Sequence, residues 1–152
     1  GVQTGALPIW RVGPNGIVFA EDVQQPMIDA VARRVSREGF RNVQTILGGF
    51  TDPRLPARSV HAALLVGVYG QIREPVVFLK NVRSGLMPGA RLGIVDFKPG
   101  GFGPGPDDNR VAADTIIRDA AQAGLHLVRH ETFLRYQYLL VFTPSGTSEP
   151  RS

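Results

Sequence analysis

The sequence contains no cysteine, which excludes disulfides, thiolate metal sites and a cysteine nucleophile together. No apolar run approaches the roughly 18 residues of a membrane span, and the chain does not open on the charged and apolar regions of a signal peptide. Charged residues are only 20% of the chain against 43% hydrophobic, a balance that excludes disordered and fibrous classes. Lysine is scarce. The basic residues are almost all arginines, scattered singly or in pairs such as Arg33-Arg34, and the formal net charge is +4. No basic stripe interleaved with aromatics is present, so a dedicated nucleic-acid surface is not indicated and the arginines read as solvated surface.

What is present is a run of alternating elements in 152 residues, enough for one core that removes roughly 70% of the extended surface from water. Gly16–Asp22 (GIVFAED) reads as a strand after the turn signal Gly13-Pro14-Asn15-Gly16. Pro26 suits a helix start, Met27, Val31 and Val35 form its apolar stripe, and Gly39 stops it. Val43–Leu47 is a second strand, closed by Gly48-Gly49, and Val60–Val68 a third, almost wholly apolar one. Pro75 opens a helix carrying Val76, Leu79, Val82 and Leu86, ended by Pro88-Gly89, and Arg91–Phe97 is a fourth strand. Lys98–Pro106 is a flexible loop rich in Gly and Pro. Asp107 and Asp108 cap a helix through about Ala123, and Leu125–His130 and Tyr138–Thr143 close the chain as strands, before a polar tail with little reason to be ordered.

The alternation predicts an α/β fold, a mostly parallel sheet with both faces of its strands covered. The connection around Thr132–Arg135 is too short for a crossover, so the last strand runs antiparallel. The domain expected spans 11–143, with a leader at 1–10 foreign to it and a disordered tail at 144–152.

In an open parallel sheet, ligands sit beyond the carboxyl ends of the strands. Asp22 closes the opening strand before a helix, where a carboxylate can accept hydrogen bonds from the two vicinal hydroxyls of a ribose; the alternative is an acidic helix start favoured by the macrodipole. Asp96, just before Lys98, should face the cleft and orient or deprotonate an acceptor, or else stand as a solvated strand-end acid; Tyr69 walls an acceptor pocket or is an ordinary packed tyrosine. His61 begins a strand at the opposite end from the site. His126 and His130 share a strand face without a third ligand, so no metal is expected, and Ser59 and Ser84 lack a nucleophile elbow.

Three segments, Val12–Arg34, Leu55–Phe97 and Leu134–Phe142, resemble class I S-adenosylmethionine-dependent methyltransferases, a Rossmann-like three-layer sandwich. The middle one is the most telling, with Leu86-Met87-Pro88-Gly89-Ala90-Arg91-Leu92 similar to the family's L-x-P-G-G-x-L run. The resemblance implies S-adenosyl-L-methionine as cofactor and transfer of a methyl group to an acceptor expected to be a small molecule. It implies that Asp22 holds the ribose, Val23 lines the adenine, Gly49 and Phe50 border the adenine edge, and Val66 and Gly67 lie beneath the methionine end.

The family often has an acid where Gly49 stands, and an acid and a histidine where Gly67 and Gly70 stand. The family also opens with a central strand and a glycine-rich turn, which GVQTGALPIW (Gly1–Trp10) does not match; this segment resembles peptide translated from a library adapter, and Ile9–Gly13 matches only the end of the first helix. The expectation is that the first strand and its turn are missing, that two strands lose a pairing partner, and that the chain binds cofactor weakly or not at all. Competing readings are a non-catalytic α/β module that associates through its sheet and a nicotinamide-dependent oxidoreductase, the antiparallel last strand favouring the methyltransferase. The cytoplasm is the default compartment.

Overall fold

The computed structural model describes residues 15–103, 107–132 and 135–145. The leader at 1–10, the Ile9–Gly13 match, residue 134 and the tail from 146 lie outside the described residues. The chain divides into two compact units, Gly1–Gly49 and Phe50–Ser152.

In the first unit, strand β1 (Val18–Asp22) leads into helix α1 (Gln25–Glu38) and strand β2 (Val43–Leu47). Pro26 sits in the first turn of α1, where its missing N–H costs nothing. Gly39 ends the helix in the left-handed region at φ 73°, and the N–H groups of Gly39 and Phe40 return to Ser36 and Val35. The two strands pair in parallel, Asp22 opposite Leu47. Ile28 is the only buried apolar side chain of this unit among the described residues; the stripe of Met27, Val31 and Val35 is half-buried.

The second unit holds strand β3 (Val60–Val66), a single 3-10 turn at Tyr69–Gln71, helix α2 (Pro75–Gly85), strand β4 (Leu86–Phe97), a 3-10 turn at Asp107–Asn109, helix α3 (Ala113–Gln122) and strands β5 (Leu125–Glu131) and β6 (Gln137–Pro144). Its sheet has the order β3-β4-β6-β5, with β3 and β4 parallel and β6 antiparallel to both neighbours. Leu92 and Ile94 of β4 pair with Phe142 and Leu140 of β6 on one face, and all four are buried. Phe78, Leu79 and Val82 of α2 and Ile116 and Ala120 of α3 complete that core.

Several expectations need correction. Strand burial on both faces holds for one face of this sheet: Leu64 and Val66, on the other, remain 57% and 54% exposed. Pro88-Gly89 does not end the helix but lies inside β4, where pairing jumps from Val60↔Leu86 to Ala62↔Arg91; a proline is tolerated at such an irregularity because no ladder N–H is required there. The helix expected from Asp107 starts at Ala113, because Asp107–Asn109 closes a separate 3-10 turn.

Among the described residues, β1 pairs with β2 alone and β3 with β4 alone.

Candidate functional site

In the first unit, the parallel register sets Asp22 level with Leu47, and the N–H of Gly48 donates to the Asp22 carbonyl at 3.0 Å. Asp22, Val23 and Gly49 are therefore brought together at the carboxyl end of β1 and β2. The Asp22 Oδ1 accepts the N–H of Gln24 at 2.8 Å, which fixes the carboxylate at the start of α1. Its Oδ2 has no partner among the described residues, so one lone-pair face stays open at a helix N-terminus, where a hydroxyl can be received.

Glu21, one residue earlier, points to the other side of the strand. Its Oε1 is buried without a hydrogen-bond partner among the described residues. Burial, and secondly the charge of Asp22, push its carboxyl up to about 7.

In the second unit, β3 ends at Val66, and the N–H of Gly67 donates to the Val95 carbonyl at 2.9 Å. Gly67 has φ +65° and nothing within 4 Å of where a Cβ would stand. Val66 and Val68 are exposed beside it. Phe50 is 53% exposed and carries the Arg73 guanidinium 4.9 Å above its ring. These features leave an open, largely apolar surface at the end of β3 where the backbone can be approached closely.

Gly70 is the opposite case. A Cβ there would stand 1.6 Å from the Asn109 carbonyl oxygen, so the space in which the family places a histidine is filled by backbone. The turn is held from two further sides. The Tyr69 N–H donates to Asp96 Oδ2 at 3.3 Å and its hydroxyl donates to Asp119 at 2.6 Å.

Asp96 and Tyr69 are both buried rather than facing an open cleft. Alternation along β4 places Asp96 on the same face as Ile94 and opposite Tyr138, under the helices. Desolvation raises the Asp96 carboxyl, opposed by the N–H groups of Phe97 and Tyr69 and by the charge of Arg110. Each of its oxygens already accepts one backbone N–H. Tyr69 is likewise raised by burial and by its bond to Asp119. The pair anchors the turn after β3.

The order of the loop after β4 is not legible in its composition, which is rich in Gly and Pro. Arg110, one arginine among many, is buried and donates to the carbonyls of Gly101, Lys98 and Gly103 while lying 3.4 Å from Asp107. The segment read as flexible is thus stapled over 98–103, and 104–106 lie outside the described residues. The only clue was a phenylalanine, Phe102, inside a glycine-rich stretch.

His61, His126 and His130 are exposed, and no group of three metal-binding side chains exists among the described residues. No helix among them is long and apolar enough to cross a membrane.

No family model matches the chain. Over 87 residues it is 33% identical to the nocamycin O-methyltransferase of Saccharothrix syringae, which covers 55% of this chain and 30% of that protein; the chain thus spans less than a third of the curated relative it matches. A crystal structure of an S-adenosylmethionine-dependent methyltransferase from Aquifex aeolicus superimposes with a TM-score of 0.81 at 23% identity, covering 87% of this chain and 71% of that one. An O-methyltransferase from neocarzinostatin biosynthesis, in complex with S-adenosyl-L-homocysteine and 1,4-dihydroxy-2-naphthoic acid, superimposes at 0.69 with 21% identity over 83% of this chain and 41% of that one. The fold is that of the Rossmann-like S-adenosylmethionine-dependent methyltransferases.

Proposed function

We propose that this methyltransferase fold does what its relatives' names describe, transferring a methyl group from S-adenosyl-L-methionine to a small-molecule acceptor. The observation that carries the reading is the half-open Asp22 carboxylate, held at the end of β1 by the Gln24 N–H. In the first unit, Asp22 receives the ribose hydroxyls, and Val23 and Gly49 border the adenine. In the second, the open space at Gly67 fits a close backbone approach.

When bound, the cofactor would supply a methyl group already activated on a positively charged sulfur. The protein's part is therefore alignment and exclusion of water. Asp96 and Tyr69 serve that alignment from behind, as positioning residues that fix the turn after Gly67. With both oxygens engaged, Asp96 is not a free base.

Ligand-observed NMR with S-adenosyl-L-homocysteine tests the reading and detects even millimolar binding. Saturation transfer to the adenosine protons is expected, competed by S-adenosylmethionine and lost on Asp22→Ala. Transfer to NAD instead would establish the oxidoreductase reading, and transfer to neither nucleotide would leave a non-catalytic module.

A further inference from the structure

Phe102 is 81% exposed, more than any other large apolar side chain among the described residues. Leaving such a ring in water forgoes its hydrophobic burial, yet its loop is held by specific contacts. The guanidinium of Arg110, a side chain only 6% exposed, takes the carbonyls on both sides of Phe102, at Gly101 and at Gly103. Asp107 faces that guanidinium and also accepts the Gly100 N–H at 2.9 Å. Gly103, at φ +155°, lies so close to the Phe97 ring that a Cβ would meet it at 2.7 Å. Burying a charged side chain is costly, and here its product is a fixed, outward-facing phenyl ring.

That ring has a partner. Tyr136 meets Phe102 edge to face, with centroids 6.2 Å apart and planes at 74°. Tyr136 is fixed by its carbonyl, which accepts the Lys98 N–H at 2.9 Å. Arg135 lies 5.2 Å above the Tyr136 ring and forms no ion pair among the described residues. Both aromatic residues flank the end of β4, since Phe97 pairs with Gln137, and this carboxyl end is where open α/β sheets bind ligands.

We infer that Phe102 and Tyr136 form an L-shaped subsite for a planar aromatic acid, with the Arg135 guanidinium receiving its carboxylate. A third ring stacks on one wall and meets the other edge-on, the two favoured aromatic geometries. Charge complementarity selects the acid. Arg135 forms no ion pair among the described residues, whereas of the two adjacent acids Asp107 and Asp108, the first already faces Arg110. The binding stands on these residues alone; its assignment as the methyl acceptor's subsite rests on the methyltransferase reading.

The test titrates the full chain with 3-hydroxy-2-naphthoic acid, with 2-naphthol (neutral) and with cyclohexanecarboxylate (non-planar), followed by ligand fluorescence or NMR. The naphthoic acid is expected to bind best. Phe102→Ala and Tyr136→Ala should each weaken it about tenfold, the scale of one lost aromatic contact of ~1.4 kcal/mol. Arg135→Gln should weaken the acid and leave 2-naphthol unchanged. Phe102 is on the surface, so circular dichroism should show Phe102→Ala folded. Unchanged naphthoate binding in folded Phe102→Ala overturns the subsite. So does a Phe102→Ala shift from dimer to monomer in sedimentation, which would assign the ring to a second copy of the chain. Naphthoate binding without S-adenosylhomocysteine binding refutes the methyltransferase reading and leaves the subsite standing; the reverse result refutes the subsite only.

Discussion

Both units pack helices on a sheet, and they reach different depths of burial. In the second unit two helices cover a four-stranded sheet, and side chains such as Leu79, Leu92, Ile116, Leu140 and Phe142 lose all contact with water. In the first, one helix covers two strands, and Ile28 alone is buried among the described residues. Among the described residues each strand of that pair has one neighbour, and apolar residues such as Ile17 and Leu47 are exposed, at 53% and 39%. The strand sequences are equally apolar. The difference teaches that burial comes from the number of neighbours a strand has, since a two-stranded unit offers too little covered area to offset chain entropy.

The sharpest way to break this comparison is a matched pair of truncations. Leu140→Ala, at the centre of the second unit's core, should cost about 3 kcal/mol in urea unfolding. Val31→Ala, half-buried on α1, should cost less than about 1 kcal/mol. Equal costs would mean the first unit is packed as tightly as the second.

Two glycines sharpen the contrast at a smaller scale. Gly70→Ala collides with the Asn109 backbone and should cost about 1–3 kcal/mol as an overpacking defect. Gly39→Ala meets open space and has only the left-handed backbone, φ +73°, to oppose it, at about 1 kcal/mol. Thermal melts of both variants rank them; a neutral Gly70→Ala would mean that the Asn109 turn yields freely.

Hydrogen exchange reads the same difference without mutation. Amides of β1 and β2 should exchange at least about tenfold faster than those of β4 and β6, since local opening costs less where little is buried.

A pH-dependent difference concerns Glu21. Its carboxyl is raised from 4.5 to about 7, so the folded unit prefers the neutral form. The stability this contributes is complete below pH 4.5 and is lost as pH rises through about 7. Glu21→Gln should flatten the first unit's stability between those values, monitored by exchange of β1 amides. A pH dependence that survives the substitution would assign it to another group.

Most strands were legible because a run of apolar residues between turn formers has few alternatives; Val43–Leu47 has the bounds expected of it. The start of β4 was not, because Pro88-Gly89 reads as punctuation in sequence and becomes a pairing irregularity only opposite Val60 and Ala62. Asp96 shows the same limit at the site. A strand-end acid reads as facing ligand, while alternation from Leu92 and Ile94 turns it inward to the N–H groups of Tyr69 and Phe97. Arg110 could not be told from the other arginines, because what distinguishes it is three carbonyls from a loop that its own presence holds in place.

The amino acids in order were enough to determine the alternation of strand and helix, the antiparallel close and the position of Asp22 at a strand end, since these follow from local periodicity and connection length. Tertiary structure alone decided which strand acquired two neighbours, which carboxylate was buried, and which arginine turned inward to hold an aromatic ring outward. Those outcomes depend on contacts between residues far apart in the chain, and pattern within a short window carries no trace of them.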